Sequence, residues 1–227
     1  MGVHVTQEKY KRLGLCPKCG GLRTDGLAYC PPCREIKKRD ILKHRRKIIR
    51  QALEVYSESP FPSCSCCGES IIQFLTLDHI EGKQSRTESG VNFYATLRRR
   101  GWPMREALRV LCYNCNCGRQ ANGGSCPHEG LKVPKTDEEK RGRRIKTQTF
   151  KAYGGKCFCC GERNLGFLTL DHVNGRVNDL TGIACYFDLQ TRGWPDVGVE
   201  VACFNCNCGR QFRGMGVCPH RRAMPSN

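Results

Sequence analysis

The chain has 227 residues, 19 of them cysteine, and 38 Lys and Arg against 21 Asp and Glu, a formal charge of +17. That length holds one or two ordinary domains, and no window approaches the roughly 18 apolar residues that a membrane-spanning helix needs. The opening residues, MGVHVTQEKYKRLG, lack the apolar stretch of a secretory signal, so the cysteines are expected in a reducing compartment, where zinc sites are common and disulfides rare.

The first segment, 1–51, carries two C-x-x-C knuckles, Cys16/Cys19 and Cys30/Cys33. Two knuckles at this separation predict a four-thiolate zinc site in a treble-clef-like finger. REIKKRDILKHRRKIIRQALEVY follows, without Gly or Pro, and predicts a basic helix. Its Lys37, Lys38, Arg45, Arg46 and Lys47 are expected along a phosphate backbone.

The rest of the chain is a duplication. CSCCGESIIQFLTLDHIEG (64–82) matches CFCCGERNLGFLTLDHVNG (157–175) at an offset of 93, and CYNCNCGRQ (112–120) matches CFNCNCGRQ (203–211) at 91. A single long repeat of this kind reads as two copies of a domain, not a solenoid. The layout is repeat one at 52–130, a linker at 131–145 and repeat two at 146–227. Thr136, Asp137 and Glu138 suit a helix start before repeat two, and Gly142 is expected to interrupt it.

Each repeat has seven matched cysteines. In repeat one, Cys64, Cys67, Cys112 and Cys115 satisfy one tetrahedral zinc, leaving Cys66, Cys117, Cys126 and His128 for a second. A different partition or a bridging thiolate is the alternative, since Cys66 adjoins Cys67. Repeat two offers Cys157, Cys160, Cys203 and Cys206, then Cys159, Cys208, Cys218 and His220. This predicts about five zinc ions per chain and lowers the charge to about +9. Cys185, left over, aligns with Phe93 and reads as a buried apolar residue.

Zinc closed by four ligands is a fastener. Chemistry is expected instead at Asp78-His79 and Asp171-His172, each ending a short predicted strand. Along a strand the Asp and His face opposite ways unless a bulge re-aims one of them.

C-x-x-C, a strand ending in Asp-His, and a second C-x-x-C followed at once by Asn resemble the His-Me finger (HNH) endonucleases. The nearest likeness is the zinc-stapled recombination endonuclease VII group of phages. The resemblance implies an α+β fold with tandem ββα-metal modules, and metal-dependent cleavage of DNA phosphodiesters, with RNA a possible substrate. It implies that Asp78 and Asn116, and Asp171 and Asn207, each bind Mg²⁺ or Mn²⁺, with His79 and His172 as bases. It also implies a phage or prokaryotic host cell, with the protein cytoplasmic or nucleoid-associated and away from membranes. Paired sites, in one pseudo-dimeric chain or a homodimer, suit cutting both strands or a branched junction. Family members use a further Asn or His to orient the base. Repeat two offers Asn174 and Asn178 where repeat one has Glu81 and Ser85, so repeat two is the expected catalyst. Arg119 and Arg210 are placed to clamp a phosphate, Asn114 to shape the knuckle turn, and Trp102 and Trp194 to pack. The alternative function is a non-catalytic DNA- or RNA-binding protein on the same frame.

Overall fold

A computed structural model describes residues 2–24, 26–82, 90–173, 180, 182–213 and 216–222. It is an α+β protein with two small antiparallel sheets and several cysteine-rich clusters. Two compact units emerge, Met1–Ala52 with Ser85–Pro103, and Leu53–Gln84 with Met104–Asn227.

The first unit contains α1 (Gly2–Arg12), most of α2 (Pro31–Tyr56) and α3 (Gly90–Arg99). The predicted basic helix is present, and Pro31 starts it where a missing N–H costs nothing. Ile48, Ile49 and Ala52 are buried, while Lys37, Lys38, Arg45, Arg46 and Lys47 are exposed.

The second unit holds both sheets. β1 (Leu75–His79) pairs antiparallel with β2 (Leu108–Cys112), and α4 (Tyr113–Ala121) follows directly. After the linker come α5 (Asp137–Ala152), β3 (Leu168–His172), α6 (Gly182–Thr191), β4 (Val199–Cys203), α7 (Phe204–Cys208), a π-helical turn at Gly209–Arg213, and the short α8 (Pro219–Arg222). β3 pairs with β4 in the register that β1 makes with β2, Asp78 opposing Arg109 and Asp171 opposing Glu200. α5 starts within 131–145, at a capping box in which Thr136 and Glu139 bond reciprocally. It runs unbroken through Gly142, contrary to the expected interruption. A Cβ at Gly142 would meet Ile183 of α6 at 2.8 Å, so the glycine serves helix packing.

The knuckles share one turn. Cys64 N–H donates to Glu69 C=O and Gly68 N–H to Cys64 C=O; Cys157, Glu162 and Gly161 repeat this, as do Cys16, Gly21 and Gly20. Gly20, Gly68 and Gly161 have φ of 73°, 75° and 78°, the left-handed region glycine enters without cost.

The repeats pack reciprocally. Asn114 N–H donates to Asn205 Oδ1 at 2.8 Å, and Asn205 N–H to Asn114 Oδ1 at 2.8 Å. His128 packs tilted against Phe167 and His220 against Phe74, each pair with ring centroids 4.7 Å apart. Contacts of i to j answered by j to i mark a local two-fold. Phe74, fully buried, packs in the core of repeat two with Phe150, Leu168, Leu189 and Val201. Cys185 belongs to that core, as its alignment with Phe93 indicated, and Trp194 packs against it.

Candidate metal centres and catalytic cluster

Among the described residues, five clusters can hold a metal ion. Cys16, Cys19, Cys30 and Cys33 form one; Cys64, Cys67, Cys112 and Cys115 another; Cys157, Cys160, Cys203 and Cys206 a third. Tetrahedral Zn–S bonds of about 2.3 Å place sulfurs about 3.8 Å apart. The sulfur pairs Cys19–Cys30, Cys67–Cys112 and Cys160–Cys203 lie at 3.5, 3.7 and 3.7 Å.

The mixed sites correct the sequence-based partition. They are Cys66, Cys115, Cys126 and His128 in repeat one, and Cys159, Cys206, Cys218 and His220 in repeat two. Cys115 and Cys206 replace Cys117 and Cys208. His128 Nδ1 lies 3.5 Å from Cys115 Sγ and 3.4 Å from Cys126 Sγ, and His220 Nδ1 lies 3.3 Å from Cys206 Sγ. Each repeat thus has two clusters sharing one thiolate. The reason is helical: residues two apart point about 200° from one another, so Cys117 points away from the side of the helix on which Cys115 meets both clusters. Cys117 instead meets Cys208 across the two-fold, and that contact pushes the Cys208 thiol up. The Cys115 thiol is pushed far up by Cys112, Cys64 and burial, and the Cys206 thiol by Cys157, Cys160, Cys203 and burial. Thiols crowded this way ionise together only around a cation.

The expected catalytic residues converge in part. Asp78 and Asp171 are buried on their strands, 6% and 2% exposed. The ladder stays regular through His79 and His172, with no bulge. Strand alternation therefore sets Asp and His on opposite faces, with each His at the strand's last residue, the ribbon's rim. His79 is 6% exposed, whereas His172 is half-buried. The Asn sits in the first turns of the following helix. Gln211 Nε2 donates to Asn207 Oδ1 at 2.6 Å and approaches Asp171 Oδ1 at 3.5 Å, bridging the two oxygens. In repeat one Gln120 Nε2 donates to Asn116 Oδ1 at 2.7 Å.

Arg119 and Arg210, expected on phosphates, are turned inward. Arg119 Nη2 lies 3.5 Å from Asp78 Oδ2, and Arg210 Nη2 donates to Asp171 Oδ2. Asn174, Asn178 and Ser85 lie outside the described residues.

No family model, no curated protein and no solved structure matches the chain.

Several working residues escaped the sequence reading. Asn114, taken as a turn former, and Asn205 join the repeats. Gln120 and Gln211 hydrogen-bond the asparagines expected to bind a metal, a pairing visible in the four-residue helical spacing of Asn-x-x-x-Gln. Arg109 and Glu200 lie on the aspartate face of the ribbon. Their signal was the charge reversal between LRVLC and VEVAC.

Proposed function

We propose that the chain is a zinc-stapled, metal-dependent endonuclease that hydrolyses DNA phosphodiesters. The observation that carries this reading is the convergence of Asp171 Oδ1 and Asn207 Oδ1 on one hydrogen-bond donor, Gln211 Nε2. A carboxylate and an amide oxygen drawn to one electron-poor group suit a hard divalent cation. The fit depends on Asp171 being buried and on Asn207 being fixed by a helix that starts at a metal cluster. Mg²⁺ or Mn²⁺ bound there would polarise a phosphate and stabilise the charge that builds on it.

The chain's own residues supply the rest. His172, partly open at the ribbon rim, takes the proton of the attacking water, since imidazole titrates near neutrality. Arg210, over the Phe158 ring at 5.5 Å, can turn from Asp171 to a phosphate oxygen once a cation neutralises that carboxylate. The exposed Lys and Arg of α2 bind backbone phosphates. Zinc fills the five clusters and fixes each ribbon against its helix. With six thiolates around two Zn²⁺, each repeat carries −2, as does the finger, so +17 falls to about +11. The surface stays attractive to a polyanion.

Incubating zinc-loaded protein with plasmid and branched DNA in Mg²⁺ or Mn²⁺ tests this, beside a His79→Ala, His172→Ala double variant. Cleavage lost by about 10²- to 10⁴-fold in the variant is expected. Absence of cutting by the wild type on every substrate, with DNA still bound, would favour a non-catalytic nucleic-acid-binding protein.

A further inference from the structure

The two catalytic clusters are near copies, yet they differ at one strand position. Opposite Asp78 stands Arg109, and opposite Asp171 stands Glu200. Directly opposed residues of an antiparallel ribbon share a face, with Cβ atoms about 4.5–5.5 Å apart. In repeat one the contact is made: Arg109 Nε donates to Asp78 Oδ2 at 3.1 Å. Arg119 adds a second guanidinium to the same oxygen at 3.5 Å.

Two guanidiniums against one carboxylate leave the first cluster with one net positive charge. In repeat two, Asp171 and Glu200 against Arg210 leave one net negative charge. A divalent cation is therefore repelled at one site and attracted at the other, and the two unit charges that separate them act at close range. The oxygens agree with this difference. Asp78 Oδ2 is already shared by two cationic donors, whereas Asp171 Oδ1 faces Asn207 Oδ1 across the Gln211 amide.

We propose that this strand position decides which repeat takes the divalent cation. Glu200 helps to hold it in repeat two, and Arg109 is a built-in cation that closes repeat one to it. The inference rests on the endonuclease reading and sharpens its product. One cation site per chain means one strand cut per encounter, so supercoiled plasmid goes to open circle before linear. Repeat one, where Arg109 and Arg119 outnumber the single Asp78 carboxylate, keeps a net positive charge that favours the polyanion.

Titrating the zinc-loaded full chain with Mn²⁺, with free Mn²⁺ read by electron paramagnetic resonance, tests this without any turnover. One Mn²⁺ per chain is expected. Glu200→Gln, nearly isosteric, should weaken it by about 10- to 100-fold, Glu200→Arg should abolish it, and Arg109→Glu should raise the count to two. Zinc content and far-ultraviolet circular dichroism check each variant's fold, and Glu200→Gln carries the test should the charge reversals not fold. Two ions on the wild type, an unchanged affinity in Glu200→Gln, or a single ion in folded Arg109→Glu would overturn the inference and leave the endonuclease reading standing. No Mn²⁺ on any variant would overturn the endonuclease reading itself.

Discussion

Within CYNCNCGRQ every polar or sulfur-bearing side chain after the tyrosine has its own direction. Asn114 crosses to Asn205, Cys115 serves two clusters, Asn116 meets Gln120, Cys117 meets Cys208, and Arg119 meets Asp78. Because Cys117 faces Cys208 and not a cluster, Cys117→Ser should leave bound zinc unchanged. Cys115→Ser should lose up to both ions of repeat one. Metal analysis after desalting separates the two, and loss of an ion in Cys117→Ser would restore the partition inferred from counting. Asn205 is 5% exposed and accepts the Asn114 N–H. Asn205→Ala strands that donor and should cost about 1–3 kcal/mol, seen as a lower denaturant midpoint with an unchanged slope. The cysteine spacing made the metal sites legible. It could not divide the ligands, because four ligands per site are reached whether Cys115 serves both clusters or Cys117 serves the second, and only the helical phase decides.

Elements were legible where a local rule dominates. The basic α2 announces itself by an unbroken run without Gly or Pro, and the Thr136 capping box marks the start of α5. Gly142 was misread because the reasons for glycines inside these helices are non-local. Gly118 and Gly209 let aromatic rings of the opposite repeat lie against the helix: a Cβ would meet Phe167 at 2.8 Å and Phe74 at 2.6 Å. Gly209→Ala should therefore destabilise by about 1–3 kcal/mol through overpacking, although alanine is the better helix former. A more stable variant in chemical denaturation would refute the contact. α5 also carries a cost. The Lys146 ammonium is held down to about 8 by burial, with the Arg143 charge adding to it. Its folded value lies below the unfolded one of about 10.4, so burying the charged form is penalised below pH 8. Stability should then rise between about pH 8 and 10.4 as the folded state sheds its proton first. Lys146→Met should be more stable at pH 7 and should flatten that rise, measured by denaturant midpoints across the range.

At the scale of the molecule, the duplication reads in sequence as two modules side by side, each with its own Phe-Leu-Thr-Leu-Asp-His strand. The structure exchanges the phenylalanines. Phe74 precedes β1 of repeat one, yet its ring is fully buried among Phe150, Leu168, Leu189 and Val201 of repeat two. Phe167 in turn packs against His128 and Gly118. No pattern within one repeat reveals this, since a phenylalanine before a strand reads as that strand's own core. The exchange answers why one chain keeps two copies: neither repeat completes its core or covers its mixed metal cluster without the other. Phe74→Ala should accordingly remove about 3–5 kcal/mol, and the damage should appear in the repeat that does not contain the mutation. Amide hydrogen exchange reads this directly. Protection at Leu170 and Val201 of β3 and β4 should fall further than at Leu77 and Val110 of β1 and β2. Loss confined to Leu77 and Val110 would mean that the repeats fold as independent modules, each keeping its own phenylalanine.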